Sequence, residues 1–233
     1  MNHVNACCLG RPYRVSSERP HDLPPERLDS LPHDATDARA SRRDLRVFNK
    51  LLRNERWIRS TVKRHLRTGE RVLELGAGEG CLARSLNAEG IPCDALDMAP
   101  RPPAWPESSR WFSADAMNMN YRETGHRLVV ANLFMHHLNA PQLKDLGASL
   151  QENVRVLAVG DLRRSRVHEK MFLLLCGLLG ANAVSRHDGV LSIRAGFRRD
   201  ELPRALGLAP ATWQWSISHN IAGAYRMLAI RRI

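Results

Sequence analysis

Ten residues constrain this chain more than any other stretch: Arg71 to Gly80, reading RVLELGAGEG. Val72, Leu73 and Leu75 form a short apolar run of the kind that makes a buried strand. Gly76, Gly78 and Gly80 follow at alternate positions, and 81–86 has helical spacing. Strand, glycine turn and helix is the layout by which an open parallel sheet brings its backbone up to a nucleotide-like ligand. A Cβ at those glycines would hold the backbone off the ligand or forbid the turn. Such turns also occur as structure alone, so Glu74 sharpens the reading. A carboxylate at the strand tip repels a pyrophosphate and suits a cationic ligand.

At 233 residues the chain has room for one α/β domain and an extension. Residues 1–33 carry scattered Pro, Arg and Ser without a period and are expected to form a partly disordered tail. From residue 34 the pattern changes. Leu45, Phe48, Leu51, Leu52, Ile58, Val62 and Leu66 recur at three- and four-residue steps, which predicts one long helix or two shorter ones over 34–68. The opposite face is basic, with 12 Arg and Lys against three acids over 39–71. It reads as a solvated face packed beside the domain at 69–233. A lid over the site, or a peripheral contact with an anionic membrane, is the sharper alternative.

The net charge of +11 permits a nucleic-acid partner. Only four of the 35 basic residues are lysine, however, and the excess is local, so nucleic acid ranks low among the partners. Five cysteines, odd in number and without ligand spacing, point to a reduced, cytoplasmic protein and to no metal. Of these, Cys7 and Cys8 are expected to be a disordered vicinal pair. The longest apolar run, 171–184, is too short to span a bilayer.

The strand ends downstream of the glycine turn are polar. A second strand over 91–97 ends in Asp97, about 20 residues past the turn, where a carboxylate can accept both hydroxyls of a ribose. Met98 follows, placed to lie against an adenine face. A third strand, 110–114, ends in Asp115 and Ala116. The fourth, 127–131, ends in Asn132 and runs on through Leu133, Phe134, Met135, His136, His137 and Leu138. A helix over 141–153 leads to a fifth strand, 154–159, which ends in Gly160 and Asp161. The run 163–182 is predicted as a helix whose greasy middle, 171–179, faces the core; 186–189 is predicted as a turn. A short helix over 199–206 and two strands, 212–218 and 224–231, close the chain.

The pattern Glu-x-Gly-x-Gly-x-Gly over 74–80, with Asp97, Asp115–Ala116 and the 132–138 segment, resembles the class I S-adenosylmethionine (SAM)-dependent methyltransferases over about residues 55–233. The resemblance implies a Rossmann-like, seven-stranded, mostly parallel sheet with helices on both faces, plus the N-terminal helical extension. It implies SAM as cofactor, with Glu74, Gly76, Gly78 and Gly80 at the methionine part. Asp97 and Met98 would lie at the ribose and adenine, Asp115 and Ala116 at the adenine amino group, and Asn132 beside them. Enzymes of this kind that methylate adenine, cytosine or glutamine nitrogen often carry Asn/Asp-Pro-Pro-Tyr/Phe after the fourth strand. Here Asn132, Leu133, Phe134 and Met135 stand in that place. The segment instead resembles small-molecule methyltransferases of quinone and polyketide type. The runs 160–166 and 186–189 resemble the bacterial members of that group.

Methyl transfer from a sulfonium is in-line, so the protein positions the acceptor, excludes water and takes a proton from a hydroxyl nucleophile. His136 or His137 is the expected base, because imidazole titrates near neutral pH. His187, beside Asp188, is a weaker alternative. A small, apolar or aromatic acceptor methylated on oxygen before carbon is the favoured reading, with the 171–179 helix and the N-terminal segment as cover. Methylation of RNA or protein, and a non-enzymatic scaffold of the same fold, are the alternatives.

Overall fold

The structure is a computed structural model that describes residues 26–31 and 35–232. The Cys7–Cys8 pair and most of the expected tail lie outside the described residues. Within that tail, Arg27–Ser30 forms a short helix, α1. It is held by its first amides: Arg27 and Leu28 donate their N–H groups to the two carboxylate oxygens of Asp188, both at 2.9 Å.

The amphipathic run becomes two helices, α2 (Thr36–Leu52) and α3 (Asn54–His65). Arg53 breaks them apart with a left-handed φ of 55°, a conformation that costs an L-residue energy unless its surroundings enforce it. The enforcement comes from far along the chain. Asn220 Nδ2 and an Arg226 amine both donate to the Leu52 carbonyl, at 2.7 and 2.9 Å. These contacts satisfy carbonyls that a continuing helix would have used. Past the break, α3 turns Ile58 and Val62 onto the sheet with no exposed surface, each worth about 1.5–3 kcal/mol of transfer free energy.

The sheet is built from β1 (Val72–Leu75), β2 (Cys93–Asp97), β3 (Trp111–Ser113), β4 (Leu128–Asn132), β5 (Val156–Leu162), β6 (Trp213–His219) and β7 (Ala224–Arg231). Their order is 3-2-1-4-5-7-6. Pairs among β1 to β5 are parallel, and β7 runs antiparallel to both neighbours. Alternation along the buried strands separates two cores. Leu73, Leu75, Val129, Ala131, Leu157 and Val159 face one side with Tyr121 and Leu143. Val72, Leu128, Val130, Val156 and Ala158 face the other with Ile58, Val62 and Leu86. The second side is covered by α3 and by α4 (Cys81–Ala88). The first is covered by α5 (Tyr121–Thr124), α6 (Ala140–Gln151) and, after α7 (Arg166–Leu179) and α8 (Ala183–Ala195), α9 (Glu201–Ala205).

The α7–α8 pair departs from the sequence reading. The helix expected over 163–182 is α7 (Arg166–Leu179), ended by Gly180 in the left-handed region. The expected turn at 186–189 and the connection after it lie instead inside α8 (Ala183–Ala195), started by Asn182, whose side chain accepts the Ser185 N–H at 2.7 Å. Gly189 is helical rather than a turn residue, and it is small because the Phe172 ring fills the place of its Cβ. The greasy middle of α7 does not face the core either. Met171, Leu173, Leu174, Leu178 and Leu179 are exposed, and Cys176 alone on that helix is buried.

Candidate active site

Strand order reverses between β1 and β4, and in an open parallel sheet the crevice at the carboxyl ends of those strands is the ligand position. Glu74 stands there on β1, with Gly76 just past its end, and Asn132 on β4. Gly76, Gly78 and Gly80 all have positive φ, at 62°, 55° and 70°. Their reasons differ. A Cβ at Gly76 would overlap the Phe134 ring, and one at Gly80 would overlap Trp105; Gly78 has open space around it. Gly78 donates its N–H to Asp97 Oδ2 at 2.7 Å, and the other Asp97 oxygen accepts from Ala99 N at 2.9 Å. Asp97 thus ties the turn to the tip of β2, with Met98 beside it 77% exposed.

Glu74 is buried at the strand end, where its Oε2 accepts the Ala83 N–H at 2.8 Å. Burial pushes its carboxyl up to about 8, with the Ala83 bond pulling the other way and Glu55 and Asp97 adding to the rise. A buried acid without a cation beside it is the complement of a cationic ligand. Asn132 Oδ1 is likewise buried without a hydrogen-bond partner among the described residues. The buried Glu74 carboxyl and the unpartnered Asn132 oxygen fit a ligand that brings positive charge and N–H donors. Asp115 closes its own turn by accepting the Met117 N–H at 2.9 Å. Ala116 packs its methyl into the core, and its carbonyl accepts from Tyr121 Oη at 2.8 Å.

The segment after β4 is strained: Leu133 has φ 55° and donates its N–H to the Gly160 carbonyl at 2.7 Å. This left-handed residue swings Phe134 over the glycine turn and starts the 3-10 turn Met135–His137. Two histidines follow with different surroundings. His136 is buried, and its Nδ1 lies 2.7 Å from Oδ1 of Asp161, a buried residue on β5. Asp161 Oδ1 also accepts the Leu162 N–H at 2.7 Å. His137 is exposed, with its ring centroid 4.2 Å from that of His136. A charge on the adjoining His136 ring, and then partial desolvation of its own stacked ring, hold His137 well below its usual value, against a smaller pull from Asp161.

His187 pairs with Asp188 at 2.9 Å, but Asp188 is also the anchor of α1, through the two amide bonds described above. The structure does bring Glu26, just ahead of α1, to the histidines. Ligand atoms of Glu26, His136 and His137 lie within 4.8 Å of one another, and Glu26 also accepts from Ser192 Oγ. On the far side of the crevice, Arg46 of α2 lies 3.7 Å from Glu79 in the glycine turn.

Sequence reasoning did not find Asp161 as the partner of His136, nor Phe134 and Trp105 as the reasons for Gly76 and Gly80. For Asp161 there is a usable signal. It lies near the carboxyl end of β5, and His136 lies in the turn that follows the neighbouring strand β4, so the two come to the same edge of the sheet.

No family model and no curated protein match the chain in sequence. Solved structures do match in fold. The plantazolicin methyltransferase BpumL, in complex with a pentazolic desmethylPZN analogue and SAH, superposes with a TM-score of 0.68 at 11% identity, over 88% of this chain and 93% of that one. An enzyme of echinomycin biosynthesis that converts a disulfide bond into a thioacetal group gives 0.51 at 16% identity, over 75% and 80%. The methyltransferase domain of bacterial CtHen1 gives 0.50 at 16% identity, over 78% and 100%.

Proposed function

We propose, on a fold shared with the class I SAM-dependent methyltransferases, that this protein is a methyltransferase that places a methyl group on a small, apolar or aromatic acceptor, on oxygen before carbon. SAM, when bound, supplies a methyl on a positively charged sulfur, ready for in-line displacement. The chain's own residues do the rest. Glu74 and Asn132 offer the cation and its N–H donors two buried acceptors. Asp97 stands at the ribose position, and Gly78 lets the backbone approach. Phe134 closes water out over Gly76.

One observation carries the choice of base: the buried His136–Asp161 pair. Asp161 accepts from Nδ1–H and so holds the tautomer whose Nε2 takes a proton. An acceptor hydroxyl gives that proton up as its oxygen attacks, and Asp161 stabilises the imidazolium that forms. His137 lies one ring farther from Asp161 and lacks, among the described residues, the carboxylate partner that would stabilise its imidazolium. It serves better as a wall of the acceptor pocket, with Glu26 bringing the N-terminal segment over it.

The fold neighbours named for plantazolicin and echinomycin support a natural-product acceptor over a polymer. The decisive experiment incubates the protein with labelled SAM and fractionated cell extract. Label in an organic-soluble product, abolished in His136→Asn, is the expected result. Label in RNA or protein would replace this reading with the second one. That reading draws on the basic 39–71 segment and carries steep loss of binding with salt.

A further inference from the structure

The outer face of α7 carries an unusual arrangement. A helix advances about 100° per residue, which sets Val167, Met171, Leu174 and Leu178 within an arc of about 60°. They are 65%, 45%, 66% and 76% exposed. The helix is anchored by its opposite side, where Cys176 is buried and Phe172 packs on Phe48 of α2 and against Gly189. The stripe is therefore not a core face left open by a displaced helix. A solvated helix carries charge on such a face, and a continuous apolar one marks a surface that meets something apolar.

The stripe begins at a cleft of about 390 Å³. Val167 lines it together with Arg163, Arg164, Arg166, Arg198 and Arg199. Of these arginine side chains only that of Arg164 is paired with a carboxylate among the described residues, Glu201 at 2.6 Å, and one of its amines is buried without a hydrogen bond. Ser165, the first residue ahead of α7, also lines the cleft and makes no capping bond with its side chain, so the positive end of the helix adds to the field there.

We propose that α7 docks on an anionic phospholipid bilayer. The Val167–Leu178 stripe enters the boundary between headgroups and acyl chains, and the arginine cleft at its N-terminus holds headgroup phosphates. An apolar stripe about 16 Å long with a basic pocket at one end is the pattern of a helix that lies in the interface. No helix among the described residues is long and apolar enough to cross a membrane. A second copy would bring five like-charged arginines to the same surface, and a nucleic acid would leave the stripe unused. The charge of +11 opposes self-association and suits an anionic partner, and the apolar stripe selects the bilayer over a nucleic acid.

The test is flotation of the full-length protein with phosphatidylcholine vesicles, with and without about one third phosphatidylglycerol, at about 0.15 M salt. Partition onto the anionic vesicles is expected. It should fall by about tenfold or more in the double variant Leu174→Glu, Leu178→Glu, and also in Arg166→Glu, Arg198→Glu. All four side chains are exposed, and a circular-dichroism melt confirms that the variants fold. No partition of the parent onto anionic vesicles, or equal partition of the leucine variant, overturns the proposal. So does a parent dimer that the leucine variant converts to monomer, since the stripe would then belong to a second copy. Neither cofactor nor acceptor enters the assay, so its outcome is separate from that of the methyl-transfer reading.

Discussion

Replacing Glu74 with glutamine should change how the stability of this protein depends on pH. Its carboxyl, ordinarily near 4.5, stands at about 8 in the folded chain because burial penalises the charged form. Between those values the folded state keeps a proton that the unfolded state has released. A folded-state pKa raised for an acid therefore subtracts stability as pH rises, by about 1.4 kcal/mol per unit. The effect starts above the unfolded value and levels off above the folded one. From pH 5 to pH 8 the loss from this one group is roughly 3 kcal/mol. Glutamine keeps the shape and can still accept the Ala83 N–H, but it has nothing to titrate. Urea denaturation of both proteins at half-unit steps of pH isolates the term, since all other groups are common. The parent should lose stability relative to Glu74→Gln across this window, with the gap widest near pH 8. Parallel curves would refute the burial argument. A cationic ligand beside Glu74 should also draw a proton off it, read as proton release in calorimetry run in two buffers.

Other expected outcomes are local. Asp97→Ala removes the acceptor that holds Gly78 and that the proposed reading sets at the ribose; SAM affinity in calorimetry should fall by about 1–3 kcal/mol, and unchanged affinity would remove Asp97 from the site. His136→Asn and Asp161→Asn should each lower turnover by about 10² to 10⁴ with SAM affinity retained. His137→Asn should cost much less, and the reverse order in a labelled-SAM assay would exchange their roles. Ile58→Ala, in the layer that α3 lays on the sheet, should destabilise by about 2–5 kcal/mol in urea. A loss under 1 kcal/mol would mean that α3 is not part of the core.

Much of the architecture was legible because it repeats locally. Glu74, the three glycines and Asp97 sit at fixed offsets that any strand–turn–helix unit must respect, and alternating apolar residues mark the buried strands. The α7–α8 region was misread for a physical reason. Histidine and glycine at 187 and 189 look like a turn, but the glycine is there for contact with Phe172, a neighbour that no local pattern reveals. The apolar run 171–179 was assigned inward because apolar residues usually are. Which face a helix turns to solvent is set by what packs on the other one, here Phe48 and Gly189.

The site divides along the same line. By itself the sequence determined the glycine turn and the acids at the strand ends, since these are properties of short stretches. Only the tertiary structure joined His136 to Asp161, brought Glu26 to the two histidines, and laid Phe134 over Gly76. Those pairs are 25, 110 and 58 residues apart along the chain. They meet because β4 and β5 lie side by side in the sheet, because Asp188 holds α1 against α8, and because Leu133 takes a left-handed turn.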